Sequence, residues 1–367
     1  MLHTPLFELC REAGGRMVPF AGWEMAVQFE GLMAEHRAVR QRCGVFDISH
    51  MGVLTLTGPG VKDKLQGLVP SDLQRIGPGE AQYTVLLNEA GGIRDDLIIY
   101  DRTDSEVVVV INAACADSDT AWIKQQLEPQ GISVSDRKAG GVLLALQGPE
   151  AVGRLEQLCG ESLAGVPRFG HRDLTINGET VFAARTGYTG EDGFELLLTA
   201  GAGQALWRQL LDGGVDPCGL GARDSLRLEA AMHLYGNDMD ANTSPLECGL
   251  GWLVHLEMPI DFVGREALER QTAEGVSRKL VGLQLQGRAI ARHDYPVLHN
   301  GEPVGVVTSG TFSPTLEHPV ALASVRADLA KLGNEVMVEI RGRQEPCLLY
   351  TSPSPRDMRR SRMPSSA

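Results

Sequence analysis

Aromatic residues are scarce in this chain, at 5% of the total. No run of about 18 apolar residues occurs, so no membrane-spanning helix is expected. The seven cysteines (10, 43, 115, 159, 218, 248 and 347) include no CxxC pair. They read as scattered reduced thiols of a cytoplasmic protein. The opening MLHTPLFELCREAGG lacks a signal-peptide pattern and the Arg/Ser richness of a transit peptide. Cations are in the minority, 34 against 47 acids for a net charge of −13, which argues against a general nucleic-acid binder. No GxxxxGK[ST], HExxH or GxSxG motif is present, and no GxGxxG links a strand to a helix. P-loop, zincin, nucleophile-elbow and dinucleotide sites are therefore not expected. Residues 238–242 (DMDAN) begin like a calcium loop. Thr243 and Gly249 stand where that loop needs glycine and glutamate, so it fails. His50, His233 and His255 are too dispersed for a metal site.

The 367 residues suffice for two or three domains, and 43% hydrophobic content supports a packed core. With 43 glycines, the composition suits strands joined by tight turns. Residues 4–46 read as helix, loop and helix, with residues 17–23 (MVPFAGW) as the loop. Residues 106–112 (EVVVVIN) and 142–147 read as buried strands. Helices are expected at 113–127, 150–159, 203–211 and 222–232. Residues 53–60 (VLTLTGPG) and 143–150 (LLALQGPE) share a strand-Gly-Pro pattern with a helix after each, a weak internal repeat. From Arg278 short strands dominate, and Asn300-Gly301 predicts a hairpin turn, so a small β-barrel or sandwich is expected there. The last stretch, residues 346–367, is rich in Ser, Pro and Arg without periodicity. It reads as non-native, vector-like sequence and as a disordered tail.

The segment 82–100, QYTVLLNEAGGIRDDLIIY, predicts strand, glycine loop and strand. Asp95 and Asp96 stand where the second strand is expected to begin. Strand side chains alternate, so one acid shares a face with Leu97 and Ile99 and the other with Ile98 and Tyr100. Both faces are apolar. An acid on either needs a partner or a raised pKa, and on this pattern the two are equivalent. Elsewhere, residues 187–195 (GYTGEDGFE) offer Tyr188 and Glu195. Arg223 and Arg227 lie at helical spacing in ARDSLRLEAA. A carboxylate, an aromatic and an arginine together suit a flat heterocycle with an anionic tail.

Eight motifs stand in one order: PFAGWEM (19–25), FDISHMG (46–52), NEAGGIRDDLIIY (88–100), ALQGP (145–149), RTGYTGEDGFE (185–195), GLGARDSLRLEA (219–230), YGNDMD (235–240) and SGTFSPTL (309–316). Together they resemble the glycine cleavage system T protein family, the aminomethyltransferases, from about Thr4 to Arg343. The resemblance implies an α+β fold of three domains in a cloverleaf around a central folate-binding hole. The domains would be 1–50 with 138–240, 51–137, and a C-terminal β-barrel over 241–345.

The implied reaction moves a one-carbon unit from the aminomethyl-dihydrolipoyl arm of H protein to tetrahydrofolate. It releases ammonia and gives 5,10-methylene-tetrahydrofolate. By motif, Asp96 matches the catalytic aspartate, acting electrostatically near N10 of the folate, and Asp95 becomes support. Met51, Tyr83, Asn112, Tyr188, Glu195 and Arg227 would bind the folate; neither histidine nor metal is needed. Arg288 and Arg292 are candidates for meeting the acidic H protein. The family's closing basic segment, with its final strand and a folate-contacting arginine, is expected to be missing here. A non-catalytic, folate-binding homologue in iron–sulfur assembly is the alternative.

Overall fold

A computed structural model describes residues 1–350, with the Tyr350 side chain left aside. The chain forms two compact units. The first comprises Met1–Leu86 and Asp95–Arg223; the second takes Leu87–Arg94 and the chain from Asp224 onward.

The first unit is built on two antiparallel sheets. One has five strands in the order Ala81–Leu87, Ile93–Thr103, Glu106–Ile111, Gly52–Thr57, Ser133–Asp136. The other runs His171–Ile176, Glu179–Ala184, Gly193–Leu198, Val142–Gln147, Gly44–Asp47, with the short strand Asp216–Pro217 added in parallel at its edge. The weak sequence repeat has a backbone counterpart. Gly58 and Gly148 end strands with φ of +151° and +134°, and each precedes Pro and a helix, Val61–Leu65 or Ala151–Cys159. A Cβ at Gly58 would sit 2.7 Å from the Gly131 carbonyl oxygen, and one at Gly148 2.5 Å from that of Arg42, so only glycine fits either turn. The core beneath the six-stranded sheet is largely aliphatic with two aromatic anchors, Phe194 on Gly193–Leu198 and Trp207 on the helix Ala200–Asp212. Thr199 caps that helix by accepting the Ala202 N–H at 3.3 Å.

Two expectations change. Residues 17–23 do not form a loop: Arg16–Phe20 and Trp23–Gln28 pair as a hairpin. Ala21 and Gly22 both take positive φ, +48° and +82°, which is the two-residue turn matched to strand twist. The acid-bearing strand also starts earlier than expected. It runs Ile93–Thr103, so Asp95 and Asp96 lie inside it.

In the second unit six strands close a barrel, in the order Arg278–Leu285, His318–Arg326, Glu302–Ser313, Pro296–His299, Glu335–Ile340, Arg343–Tyr350. Asn300 and Gly301 make the expected turn, with φ of +53° and +84°. The disordered tail expected from residue 346, and the missing final strand, are corrected here. Residues 346–350 belong to the strand Arg343–Tyr350, which pairs with both Glu335–Ile340 and Arg278–Leu285. Alternation explains it: Cys347 (2% exposed) and Leu349 (0%) point into the barrel core. Burying a leucine in this way contributes about 1.5–3 kcal/mol. The rest of the expected tail, 351–367, lies outside the described residues.

Candidate active site

Strand parity separates the two acids. Asp95, Leu97 and Ile99 are sealed at 0%, 2% and 0% exposure, while Asp96 and Ile98 on the other face are half-buried. The two neighbouring strands then converge on Asp96. The Tyr83 hydroxyl, from Ala81–Leu87, donates to Asp96 Oδ2 at 3.0 Å. Asn112, one residue past Glu106–Ile111, donates through Nδ2 to Asp96 Oδ1 at 2.8 Å. Donors on both oxygens fix the plane of the carboxylate.

Asn112 also holds the sealed acid. Its Nδ2 reaches Asp95 Oδ1 at 2.8 Å and its backbone N–H reaches Oδ2 at 3.0 Å. Asp119, on the helix Ala116–Leu127, brings a carboxylate oxygen within 4.8 Å of one on Asp95. Burial first, and then Asp119, push the Asp95 carboxyl up to about 8, against the opposing hydrogen bonds from Asn112. Ligand-type atoms of Asp95, Cys115 and Asp119 lie within 4.8 Å of one another. Sequence reading treated Asp95 as support and missed Cys115 and Asp119. The available signal was their four-residue spacing at the start of a helix.

A second cluster forms around Glu195 on Gly193–Leu198. Glu195 is 9% exposed and accepts from the Thr186 hydroxyl at 2.6 Å. The Thr186 and Tyr100 hydroxyls are 3.1 Å apart. Tyr100 shares the acid strand with Asp96, four residues on, so the two clusters are spaced about 13 Å along it. Burial, and next the Glu195 charge, hold the Tyr100 hydroxyl neutral. The Arg223 guanidinium lies 5.0 Å over the ring of Tyr188. Burial lowers its proton affinity and the Glu195 charge restores part of it. Arg223 Nη1 is enclosed yet has no hydrogen-bond acceptor among the described residues.

The expected arginine, Arg227, is placed differently. It belongs to the second unit and is 2% exposed. It donates to Asp224 (2.8 Å), Asp238 (2.7 Å), Ser309 Oγ (2.8 Å) and the Met232 carbonyl (3.1 Å). These contacts occupy its fork in holding the fold. Sequence spacing gave no ground for preferring Arg223, which is the arginine beside Tyr188 and Glu195.

Met51 is half-buried in the loop after Gly44–Asp47. Lys138 Nζ donates to the carbonyls of Ser49 and Met51, the latter at 2.6 Å, and so pins that loop. Between them, His50 is 4% exposed and Nδ1 has no partner among the described residues. Burial, then the charges of Arg223 and Lys138, push it down to about 3. The structure thus joins Tyr83, Asp96 and Asn112 directly, and Tyr188, Arg223 and Glu195 as a second group.

Residues 6–258 match the GCVT N-terminal domain family, and residues 278–354 match the glycine cleavage T-protein C-terminal barrel domain. An aminomethyltransferase of Synechococcus sp. (strain RCC307) is 94% identical over 353 residues, covering 96% of this chain and 98% of that one. One from Synechococcus sp. (strain CC9902) is 69% identical over 360 residues, covering 96% and 99%. The crystal structure of glycine cleavage system aminomethyltransferase T from Bartonella henselae is 36% identical, with a TM-score of 0.90 over 96% of this chain and 97% of that one. Two domain families matched in order, with near-complete coverage of close relatives, make this chain a member of the glycine cleavage T-protein family, the aminomethyltransferases.

Proposed function

We propose that this aminomethyltransferase takes its one-carbon unit from the aminomethyl-dihydrolipoyl arm of H protein and passes it to tetrahydrofolate. In that reaction the carbon's bonds to sulfur and to the amino nitrogen break. Two new carbon–nitrogen bonds form to the folate amines N5 and N10. Protons from those amines end on the lipoyl thiol and on ammonia, giving reduced H protein and 5,10-methylene-tetrahydrofolate. The carbon becomes cation-like as its first bond breaks, and a fixed carboxylate beside it stabilises that charge.

One observation carries the reading. Asp96 alone of the acid pair is accessible, and Tyr83 and Asn112 hold its carboxylate from either side. Glu195 would accept N–H groups of the pterin edge, with Tyr188 and Arg223 against its face and Met51 nearby. In this reading Arg223 takes the part that the family resemblance implied for Arg227. A spacing of about 13 Å between the clusters suits an elongated ligand with a flat head. The chain is read as cytoplasmic, and no helix among the described residues is long and apolar enough to cross a membrane. Exposed Arg288 and Arg292 are offered to an acidic partner surface. A three-domain division at residues 50, 137 and 240 remains part of the proposal.

The test is Asp96→Asn, assayed with H protein and tetrahydrofolate. Folate should still bind, while turnover falls roughly 100- to 1,000-fold, the scale for losing one fixed electrostatic stabiliser. Full turnover would remove the assigned role. Retained folate binding with no transfer in the unsubstituted chain would favour the non-catalytic homologue.

A further inference from the structure

Behind Asp96 lies an acid pair that the chemistry above does not use. Asp95 (0% exposed) comes from a strand and Asp119 (1%) from a helix, and their carboxylate oxygens lie within 4.8 Å of one another. Two sealed carboxylates this close cannot both carry a charge without strong repulsion, so the pair favours holding one proton. Three elements close around Asp95. The helix and its N-cap present Asp119 and Cys115, its own strand presents Asp96, and the end of the next strand presents neutral Asn112. The Cys115 thiol is neutral, raised by burial and then by Asp95 and Asp119.

Asn112 couples this pair to the proposed reactive acid. Its one amide nitrogen lies 2.8 Å from Asp95 Oδ1 and 2.8 Å from Asp96 Oδ1. An amide facing two acids must turn its NH2 to them, which fixes its orientation. We propose that Asp95 and Asp119 share a single proton and, through Asn112, hold Asp96 in place, which makes both positioning residues for one-carbon transfer. This rests on Asp96 being the reactive-site acid. With the proton present, the pair carries one negative charge and shares the Asn112 donors with Asp96. Without it, two buried charges repel and draw the Asn112 amide toward themselves. Asp96 then loses a donor and its fixed plane.

Two measurements on the full chain test this. The first is infrared difference spectroscopy of the wild type against Asp119→Asn. A protonated-carboxyl C=O band should be present in the wild type at pH 7, vanish as pH rises through about 8, and be missing from Asp119→Asn. No such difference at pH 7 overturns the proposal. The second is kinetic. Asp119→Ala should lower kcat roughly 10- to 100-fold with little change in KM for tetrahydrofolate, the scale for misplacing a reactive group slightly. Asp119→Asn supplies a fixed donor, so it should recover most of that rate and lose the alkaline fall near pH 8. Wild-type kcat and pH profile in Asp119→Ala overturn the proposal. The infrared arm needs only the wild type when a variant does not fold, since its band must titrate near 8. It also separates the two readings: full turnover in Asp96→Asn, with the band intact, removes the role of Asp96 and leaves the shared proton standing.

Discussion

Arg223 stacks over Tyr188, its guanidinium 5.0 Å from the ring centroid. The stack uses the cation's flat face and leaves its edge donors for other work. A lysine keeps the charge but not the planar fork, so it does not replace this contact.

Arg223→Lys is therefore expected to raise KM for tetrahydrofolate about fivefold to 30-fold, with a smaller loss in kcat. That range corresponds to about 1–2 kcal/mol for a desolvated cation–π contact. Steady-state kinetics with varied folate check it, and an unchanged KM would place Arg223 outside the binding site.

Arg227→Ala should behave as a stability defect. Its side chain is 2% exposed against an Asp238 side chain at 0%, with nitrogen and oxygen 2.7 Å apart. Removing the arginine strands a buried carboxylate, at a cost of about 3–5 kcal/mol. Denaturant unfolding should show this loss, while the folate KM of the remaining folded protein stays close to wild type.

His50 predicts an acid-side weakness. Its folded value of about 3 lies below the ordinary histidine value of 6.5. Between those values the unfolded chain takes up a proton that the folded one refuses, so stability falls as pH drops from 6.5 towards 3. The loss amounts to a few kcal/mol at most, at roughly 1.4 kcal/mol per pH unit. His50→Gln should flatten that slope in melting temperatures taken from pH 7 to pH 4.

Asp95 acts at the other end. Its folded value of about 8 exceeds the ordinary aspartate value of 3.8, so between them the folded chain holds a proton that the unfolded one has released. Its contribution is complete below the lower value and is lost as pH rises through 8. Asp119→Asn removes the charge that opposes Asp95 and should reduce the fall in melting temperature between pH 6 and pH 9. An identical slope in both proteins would show that the pair does not titrate in this window.

The sequence was most readable where local chemistry decides the backbone. Gly58, Gly148 and Asn300-Gly301 announce turns that only such residues adopt. It was least readable where two positions look alike until something covers one of them. Asp95 and Asp96 flank similar apolar letters, and the difference comes from Asp119 on a helix that meets one face. Arg223 and Arg227 are equivalent by helical spacing, and only their partners distinguish them. The hairpin at Arg16–Phe20 was hidden because Ala21, an unusual residue for positive φ, sits in its turn. The closing barrel strand was obscured by its composition, although its alternating apolar positions were present.

That last strand has a consequence for how this protein can fail. Each barrel strand has a partner on either side, so the barrel offers no open row of backbone donors and acceptors to another chain. Removing residues 343–350 would bare two such rows at once, along Arg278–Leu285 and Glu335–Ile340. The first symptom of damage there should be intermolecular β-pairing and precipitation, well before any change in the chemistry at Asp96.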